Sequence, residues 1–531
     1  MHMFCYQCQE TGENKGCLYF GACGKTDETA NLQDLLIYLL KGIALCARPA
    51  MAAGEVPRAE AVFASRSLFS TVTNTNFDSE RFQAMIREGL ALRDSLRERF
   101  TVDVPAGLED LVTWQADGTA QLLRKSTAID IRDTKDPDIR SLAELSTYGL
   151  KGAAAYAIHA AALGREDDGL WCDLLRILAR LAEEKNEEAL QEIALDTGRY
   201  MTRAMAVLDE ANAAAYGEPG AVPIPLGVRG RPGILITGHD LKDLEELLEQ
   251  TEGTGVDVYT HCEMWEAHAY PAFRKHAHLA GNYGNAWWMQ DIEFEAFNGP
   301  ILVTSNCITP VPDAYRHRIF TTGPAGYPGV VHIPEAPEGQ PKDFSAIVAL
   351  AKTCPPPKAL EQGTVTGGFS HRFVAKHLDT VLGAIRSGAI RKFVVMGGCD
   401  GRDQRRKRFT DAALAMPDDT IILTAGCAKF RFIKQVRKEV AGLPQVLDAG
   451  QCNDCYSLVR IALALKDALG IADVNDLPID FDLAWYDQKA VGIVLALAAL
   501  GFRNVRMGPS LPAYLLTDAG KRFREKYGIS G

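Results

Sequence analysis

Residues 234–260, ILITGHDLKDLEELLEQTEGTGVDVYT, read as a strand, a helix and a strand in succession. Ile234–Thr237 is a short run of apolar and β-branched residues, the texture of a buried strand. Leu241–Gln250 repeats its apolar residues at three and four spacing, which is helical, and Val256–Thr260 returns to strand. This alternation is the signature of α/β layers with mainly parallel sheets. Downstream, strands are expected at Ile301–Ser305, Ile319–Thr321, Val330–Ile333, Phe393–Met396, Thr420–Thr424, Val446–Leu447 and Phe481–Tyr486. Helices are expected at Val374–Ser387, Tyr456–Leu469 and Gln488–Leu500. A Pro- and Gly-rich break near Pro355–Gly368 (PPPKALEQGTVTGG) divides this half in two.

Upstream the texture is different. From Thr29 to about Tyr216 the apolar spacing is helical, in Leu32–Cys46, Phe82–Leu96, Leu142–Ala162, Leu170–Leu181 and Ala189–Leu208. Gly217–Gly233 (GEPGAVPIPLGVRGRPG) reads as a linker. The expected fold is therefore multidomain, α and α/β. An N-terminal helical bundle domain, 1–218, is followed by two Rossmann-like α/β domains with mainly parallel sheets, 219–371 and 372–531.

Of 531 residues, 47% are hydrophobic and 24% charged, an ordinary globular composition. The net charge of −11 argues against a nucleic-acid partner. The one dense basic run, Arg402–Arg408 (RDQRRKR), reads as a solvated face, with docking of an acidic electron donor as the sharper alternative. There is no secretory pattern at the N-terminus, and no stretch of membrane-spanning length free of charge, Gly or Pro. Val491–Leu500 (VGIVLALAAL) is too short to span and reads as a buried helix. A cytoplasmic protein without a membrane partner is expected. Thirteen cysteines in such a chain point to metal or redox chemistry rather than to a disulfide scaffold.

Four of them, Cys5, Cys8, Cys17 and Cys23, follow the spacing C-x2-C-x8-C-x5-C. Four thiolates this close in sequence suit one tetrahedral metal or one cubane cluster. The five-residue last gap and the neighbouring glycines favour iron–sulfur, with a zinc knuckle as the alternative. Gly24-Lys25-Thr26 looks like the end of a phosphate-binding loop, but Tyr19 occupies the position of the required glycine, and that reading is rejected.

A second set of residues falls just past expected strands. His239 follows ILITG, Glu263 follows VDVYTHC, Cys307 follows ILVTSN, Cys399 follows FVVMGG, Cys427 follows IILTAG, Cys452 follows VLDAGQ and Asp487 follows LAWY. Sites in open α/β sheets form outside the carboxyl ends of the strands. Singly, each has an ordinary explanation: a buried small hydrophobe for a cysteine, a helix cap for His239-Asp240 or Asp487. Together they make a mixed S/N/O donor set that suits an iron cluster with sulfide and oxo bridges. Cys46, Cys172 and Cys354 read as structural, and packing is the favoured role of Cys262 and Cys455, which adjoin the proposed donors.

The stretches FCYQCQET, GHDLKDLEELLEQTEGTGVDVYTH, GGCDGR, LTAGCAK, DAGQCND and WYDQKA closely resemble the hybrid cluster proteins, also called prismane proteins or hydroxylamine reductases, from Met3 to about Pro512. The N-terminal spacing is that of the branch carrying a 4Fe–4S cubane. The resemblance implies a helical domain and two α/β domains related to carbon monoxide dehydrogenase, with a 4Fe–2S–2O hybrid cluster at their interface. It implies His239, Glu263, Cys307, Cys399, Cys427, Cys452 and Asp487 as ligands, with Cys399 as the position that carries a persulfide in oxidised forms. The family usually has Glu at Asp487, Gly at Cys262 and Ser at Cys455.

The implied reaction is the two-electron reduction of hydroxylamine to ammonia and water, with electrons entering at the N-terminal cluster. Lys489, His239 and Glu263 are the candidate proton donors. A redox partner protein would supply electrons, and the setting would be nitrosative stress. Nitric oxide reduction, or nitric oxide sensing and protein S-nitrosylation through Cys399 and Cys262, is the alternative.

Overall fold

The computed structural model describes residues 2–337 and 339–531. Contacts divide the chain into two compact units. One comprises Met1–Leu208, Asp487–Gly501 and Leu511–Gly528, the other Asp209–Tyr486, Phe502–Ser510 and Ile529–Gly531.

The first unit is built mainly of helices: Asp27–Ala52, Arg58–Ser70, Ser79–Arg99, Pro137–Ala162, Asp168–Glu183 and the start of Glu187–Tyr216. Several begin where a short polar side chain accepts first-turn N–H groups that have no intrahelical partner. Thr26 accepts from Thr29, Asp78 from Glu80 and Arg81, and Asp167 from Gly169 and Leu170. Asp136 does the same ahead of Pro137, whose missing N–H costs nothing at that position. Asp27–Ala52 is long and apolar enough to cross a membrane by length and composition, but most of it is buried in this unit as a core helix.

Two helices from the far end of the sequence, Gln488–Ala499 and Asp518–Tyr527, also belong here. The sequence reading grouped them with residues 372–531. Gln488–Ala499 is apolar nearly all round and buried along its length, and such a helix has to be covered on every side. Glycines let it come close to its neighbours. A Cβ on Gly152 would stand 2.5 Å from the Gln488 carbonyl oxygen, and one on Gly198 would stand 2.1 Å from that of Leu495.

The second unit holds two six-stranded sheets, all of whose pairings are parallel. In the first, the spatial order is Leu279–Asn282, Asp257–His261, Gly233–Thr237, Ile301–Val303, Ile319–Thr322, Val331–Ile333. In the second it is Val446–Asp448, Thr420–Thr424, Lys392–Val395, Ile479–Ala484, Val505–Gly508, Ile529–Ser530. Both are the doubly wound order 3-2-1-4-5-6, so each has a crevice where the winding reverses. The central strands Gly233–Thr237 and Thr420–Thr424 are buried at every residue, which is why they read as continuous apolar runs. The expected α and α/β class is what the chain adopts.

Some elements differ from expectation. The linker Gly217–Gly233 contains a strand, Val222–Pro225, that pairs antiparallel with Thr364–Gly367, inside the other Gly/Pro-rich stretch. Pro223 and Pro225 sit two apart, so both missing N–H groups fall on one edge of the strand. Arg58–Ser70 is a helix that the apolar spacing did not reveal, and Leu279–Asn282 and Val505–Gly508 are strands too short to stand out. The basic run is not simply a solvated face: Arg406 is fully buried, donating to the carbonyls of Cys399 (3.2 Å) and Trp485 (2.7 Å).

Candidate metal centres

In the first unit the N-terminal loop gathers its four cysteines. Cys5 and Cys17 are paired through their backbones, N–H to carbonyl in both directions, at 3.1 and 2.8 Å. The Gly12 and Ala22 amides point at the Cys17 sulfur, at 3.4 and 3.5 Å. Cys8, Cys17 and Cys23 are buried and Cys5 is partly buried. Burial pushes the Cys8 thiol well above its ordinary range, and the nearness of Cys23, Cys5 and Cys17 adds to this. Burial also raises Cys23, against the pull of Lys25. Four thiols that cannot all ionise beside one another are relieved by a cation, so this set fits a metal or a cluster that replaces their protons.

In the second unit the strand-end residues lie where the winding places them. His239 follows Gly233–Thr237, and Ser305 and Cys307 follow Ile301–Val303, the two strands flanking the first switch point. The His239 amide donates to Ser305 Oγ at 2.9 Å, and its Nδ1 lies 3.0 Å from the same oxygen. The ring Nε2 is 3.8 Å from Glu263 Oε2. That Glu263 oxygen accepts the Cys452 N–H at 2.8 Å. Gln451 Nε2 donates to the carbonyls of both His239 (3.2 Å) and Glu263 (3.0 Å), so a loop of the second sheet holds two donors of the first. Donor atoms of His239, Glu263 and Cys452 lie within 4.8 Å of one another, all buried.

Around the second switch point, Gly398 and Gly426 each precede a candidate cysteine. Gly398 (φ +104°) would drive a Cβ to 2.1 Å from the Ala484 carbonyl oxygen. Gly426 (φ +87°) would drive one to 2.4 Å from the Gly398 carbonyl oxygen. Only glycine fits such approaches, and they let the next residue, Cys399 or Cys427, turn off the strand end. Cys427 Sγ accepts the Asp400 N–H at 3.0 Å, and the Asn306 side chain donates to Cys307 Sγ at 3.3 Å. The Asp400 amide pulls Cys427 towards the thiolate, but the neighbouring Cys262 and burial together hold its thiol well above the ordinary range.

Asp487 and Lys489 belong to the helical unit. Asp487 caps Gln488–Ala499, accepting the Lys489 N–H at 2.9 Å, the cap role weighed for it from sequence. Lys489 is fully buried, its ammonium 5.3 and 5.7 Å from the ring centroids of Phe69 and Tyr156.

The sequence reading favoured packing for Cys262. The structure brings its sulfur within 4.8 Å of donor atoms of Glu263 and Cys427. Sequence reading also missed a buried charged group. Lys429 pairs with Asp448 and donates to the Gly450 carbonyl at 2.7 Å, and Trp265 Nε1 donates to Asp448 at 2.9 Å. Nearby, Glu266 is buried, and burial, then Asp454 and Asp448, push its carboxyl well above the usual range.

A family model described as the Prismane/CO dehydrogenase family matches residues 3–531. Proteins named hydroxylamine reductase are similar throughout. That of Desulfitobacterium hafniense (strain DSM 10664 / DCB-2) is 51% identical, covering 100% of this chain and 97% of its own. That of Chlorobaculum tepidum is 52% identical, covering 97% and 94%. Among solved structures, carbon monoxide dehydrogenase IV from Carboxydothermus hydrogenoformans matches with a TM-score of 0.54 at 16% identity, over 99% of this chain and 89% of that one. A nickel-free carbon monoxide dehydrogenase from Thermococcus sp. AM4 matches at 0.53 and 17%, over 99% and 87%. At that identity the likeness is one of fold.

Proposed function

The chain belongs to the Prismane/CO dehydrogenase family, and from that premise we propose that it is an iron–sulfur oxidoreductase that reduces hydroxylamine, NH2OH + 2 e− + 2 H+ → NH3 + H2O. The observation that carries this reading is the buried meeting of imidazole, carboxylate and thiol at His239, Glu263 and Cys452, on strand ends of two doubly wound sheets. Curated relatives of about 50% identity bearing the hydroxylamine reductase name support the substrate.

Cys5, Cys8, Cys17 and Cys23 would hold a 4Fe–4S cluster at which electrons enter. His239, Glu263, Cys307, Cys399, Cys427 and Cys452 would hold a 4Fe–2S–2O hybrid cluster between segments 219–371 and 372–531, which follow a helical domain 1–218 in the chain. Asp487 joins this ligand set, and Lys489 the proton donors, on the motif WYDQKA. Cys399 is the persulfide position. Bound there, the hybrid cluster supplies Lewis acidity and electrons for cleavage of the N–O bond.

The chain's own residues supply positioning and protons. Ser305 orients the His239 ring through Nδ1 and so fixes where Nε2 points. The Cys452 amide and Gln451 hold the Glu263 carboxylate and backbone. The reaction takes up two protons, and Lys489 Nζ, with the His239 and Glu263 atoms not bound to iron, are the groups assigned to deliver them. The donor is a redox partner protein, and the setting is the cytoplasm.

The test is turnover by anaerobically prepared, iron-replete protein with reduced viologen. Consumption of hydroxylamine with ammonia as product is expected. Consumption of neither hydroxylamine nor nitric oxide would sink the enzymatic reading.

A further inference from the structure

Cys262 is buried, with 4% exposure, and stands at φ +53°, in the left-handed region that residues bearing a Cβ rarely adopt. It directly precedes Glu263. Its sulfur, a Glu263 oxygen and the Cys427 sulfur all lie within 4.8 Å of one another. Glu263 also completes the triad with His239 and Cys452. One carboxylate is therefore shared by two buried donor groups, one with an imidazole and a single thiol, the other with two thiols.

We propose that Cys262 is a further thiolate donor to the strand-end iron centre, on the side shared by Glu263 and Cys427. This rests on the reading of that site as an iron centre. Two thiols and a carboxylate form a donor set that suits first-row metals. On binding, the S–H bond breaks, a sulfur–iron bond forms and the proton leaves to solvent, with no electron exchanged. A thiolate is a softer and more strongly donating ligand than a carboxylate or water. The iron beside Glu263 would thus be richer in sulfur than one held by Glu263 and Cys427 alone.

The test compares the full chain, prepared anaerobically and loaded with iron and sulfide, with its Cys262→Gly and Cys262→Ser variants. Glycine suits φ +53°, so the first variant keeps the backbone, while serine replaces sulfur by oxygen at the same place. The readouts are EPR and Mössbauer spectra and the iron–sulfur coordination number from iron-edge X-ray absorption. Both variants are expected to shift the strand-end signal and lower the sulfur coordination, leaving the signal of the N-terminal centre in place. Spectra identical to those of the unaltered chain would overturn the proposal and leave the proposed function standing. An unaltered chain with iron only at its N-terminal thiols would overturn both. Shifted spectra in a protein that turns over no hydroxylamine would uphold the ligand and remove the function.

Discussion

The Lys25 ammonium lies 3.7 Å from the Cys5 sulfur and donates to Gln33 Oε1 at 2.6 Å. Burial works against its charge, but Cys5, Cys23, Asp34 and Cys8 together outweigh burial and hold its pKa above the ordinary lysine value. The residue whose sequence context resembled a phosphate loop is instead a cation set against a cysteine sulfur. A fixed positive charge stabilises the more negative, reduced state of a thiolate-bound cluster. Lys25→Met is expected to lower the midpoint potential of the N-terminal centre, and Lys25→Arg to lower it less. Redox titration followed by EPR checks this, and an unchanged potential in Lys25→Met contradicts it.

Ser305 is the partner of His239 Nδ1. Partners of this kind fix the tautomer and direction of a metal-binding imidazole, and losing one costs roughly 10–100-fold in metal affinity or activity. Ser305→Ala should therefore bring a drop of that order in hydroxylamine turnover or in iron retained against a chelator. Its folded stability should change much less. Full activity and iron content in the variant would show that Ser305 does not orient the ring.

The Lys429–Asp448 pair is almost wholly buried, while Glu266 beside it has both carboxylate oxygens without a hydrogen-bond partner. Removing one member of a buried pair strands the other charge and costs about 3–5 kcal/mol. Lys429→Met should destabilise the protein by that order. Glu266→Gln should cost far less, because burial keeps that carboxyl above the usual range and an amide replaces it without loss of charge. Denaturant unfolding of the two variants side by side is the measurement, and equal losses would contradict the assignment.

A buried group, His268, and a half-buried one, Asp34, give opposite slopes of stability against pH. Burial holds His268 down at about 4, where its Nε2 lies 3.0 Å from Thr260 Oγ1. The unfolded histidine titrates near 6.5, so as pH falls from there towards 4 the unfolded chain binds the extra proton and stability is lost. Burial lifts Asp34 to about 7, against the pull of Lys25 and Lys151. Between roughly 4 and 7 the folded chain keeps a proton that the unfolded chain has released, so this group lowers stability as pH rises through the window. His268→Gln should flatten the loss on the acid side, and Asp34→Asn should remove the decline towards neutrality. Unfolding midpoints of metal-free protein between pH 4 and 8 report both.

Much of this was legible because strand, glycine and donor follow one another in the chain. FVVMGGC and IILTAGC each state a buried strand, a glycine that alone fits the close approach, and a sulfur at the strand end. The N-terminal cysteines were legible for a similar reason, since all four lie within one short loop. What could not be read depends on partners remote in sequence. Val222–Pro225 looks like a linker until Thr364–Gly367 is beside it. Cys262 looks like packing until Cys427 is within reach. Gln488–Ala499 is visibly a buried helix, but nothing in its residues says that its cover comes from Pro137–Ala162 and Gly198.

That last helix has a consequence for how the molecule is made. The ribosome delivers residues 1–208 first, yet the unit they belong to lacks Gln488–Ala499 and Asp518–Tyr527 until most of the sheet-bearing unit has emerged. The part begun earliest stays incomplete through nearly all of synthesis. Until then the small-residue surface at Gly149, Gly152 and Gly198 lies bare, an adhesive seam that a holding chaperone must shield or another nascent chain will find.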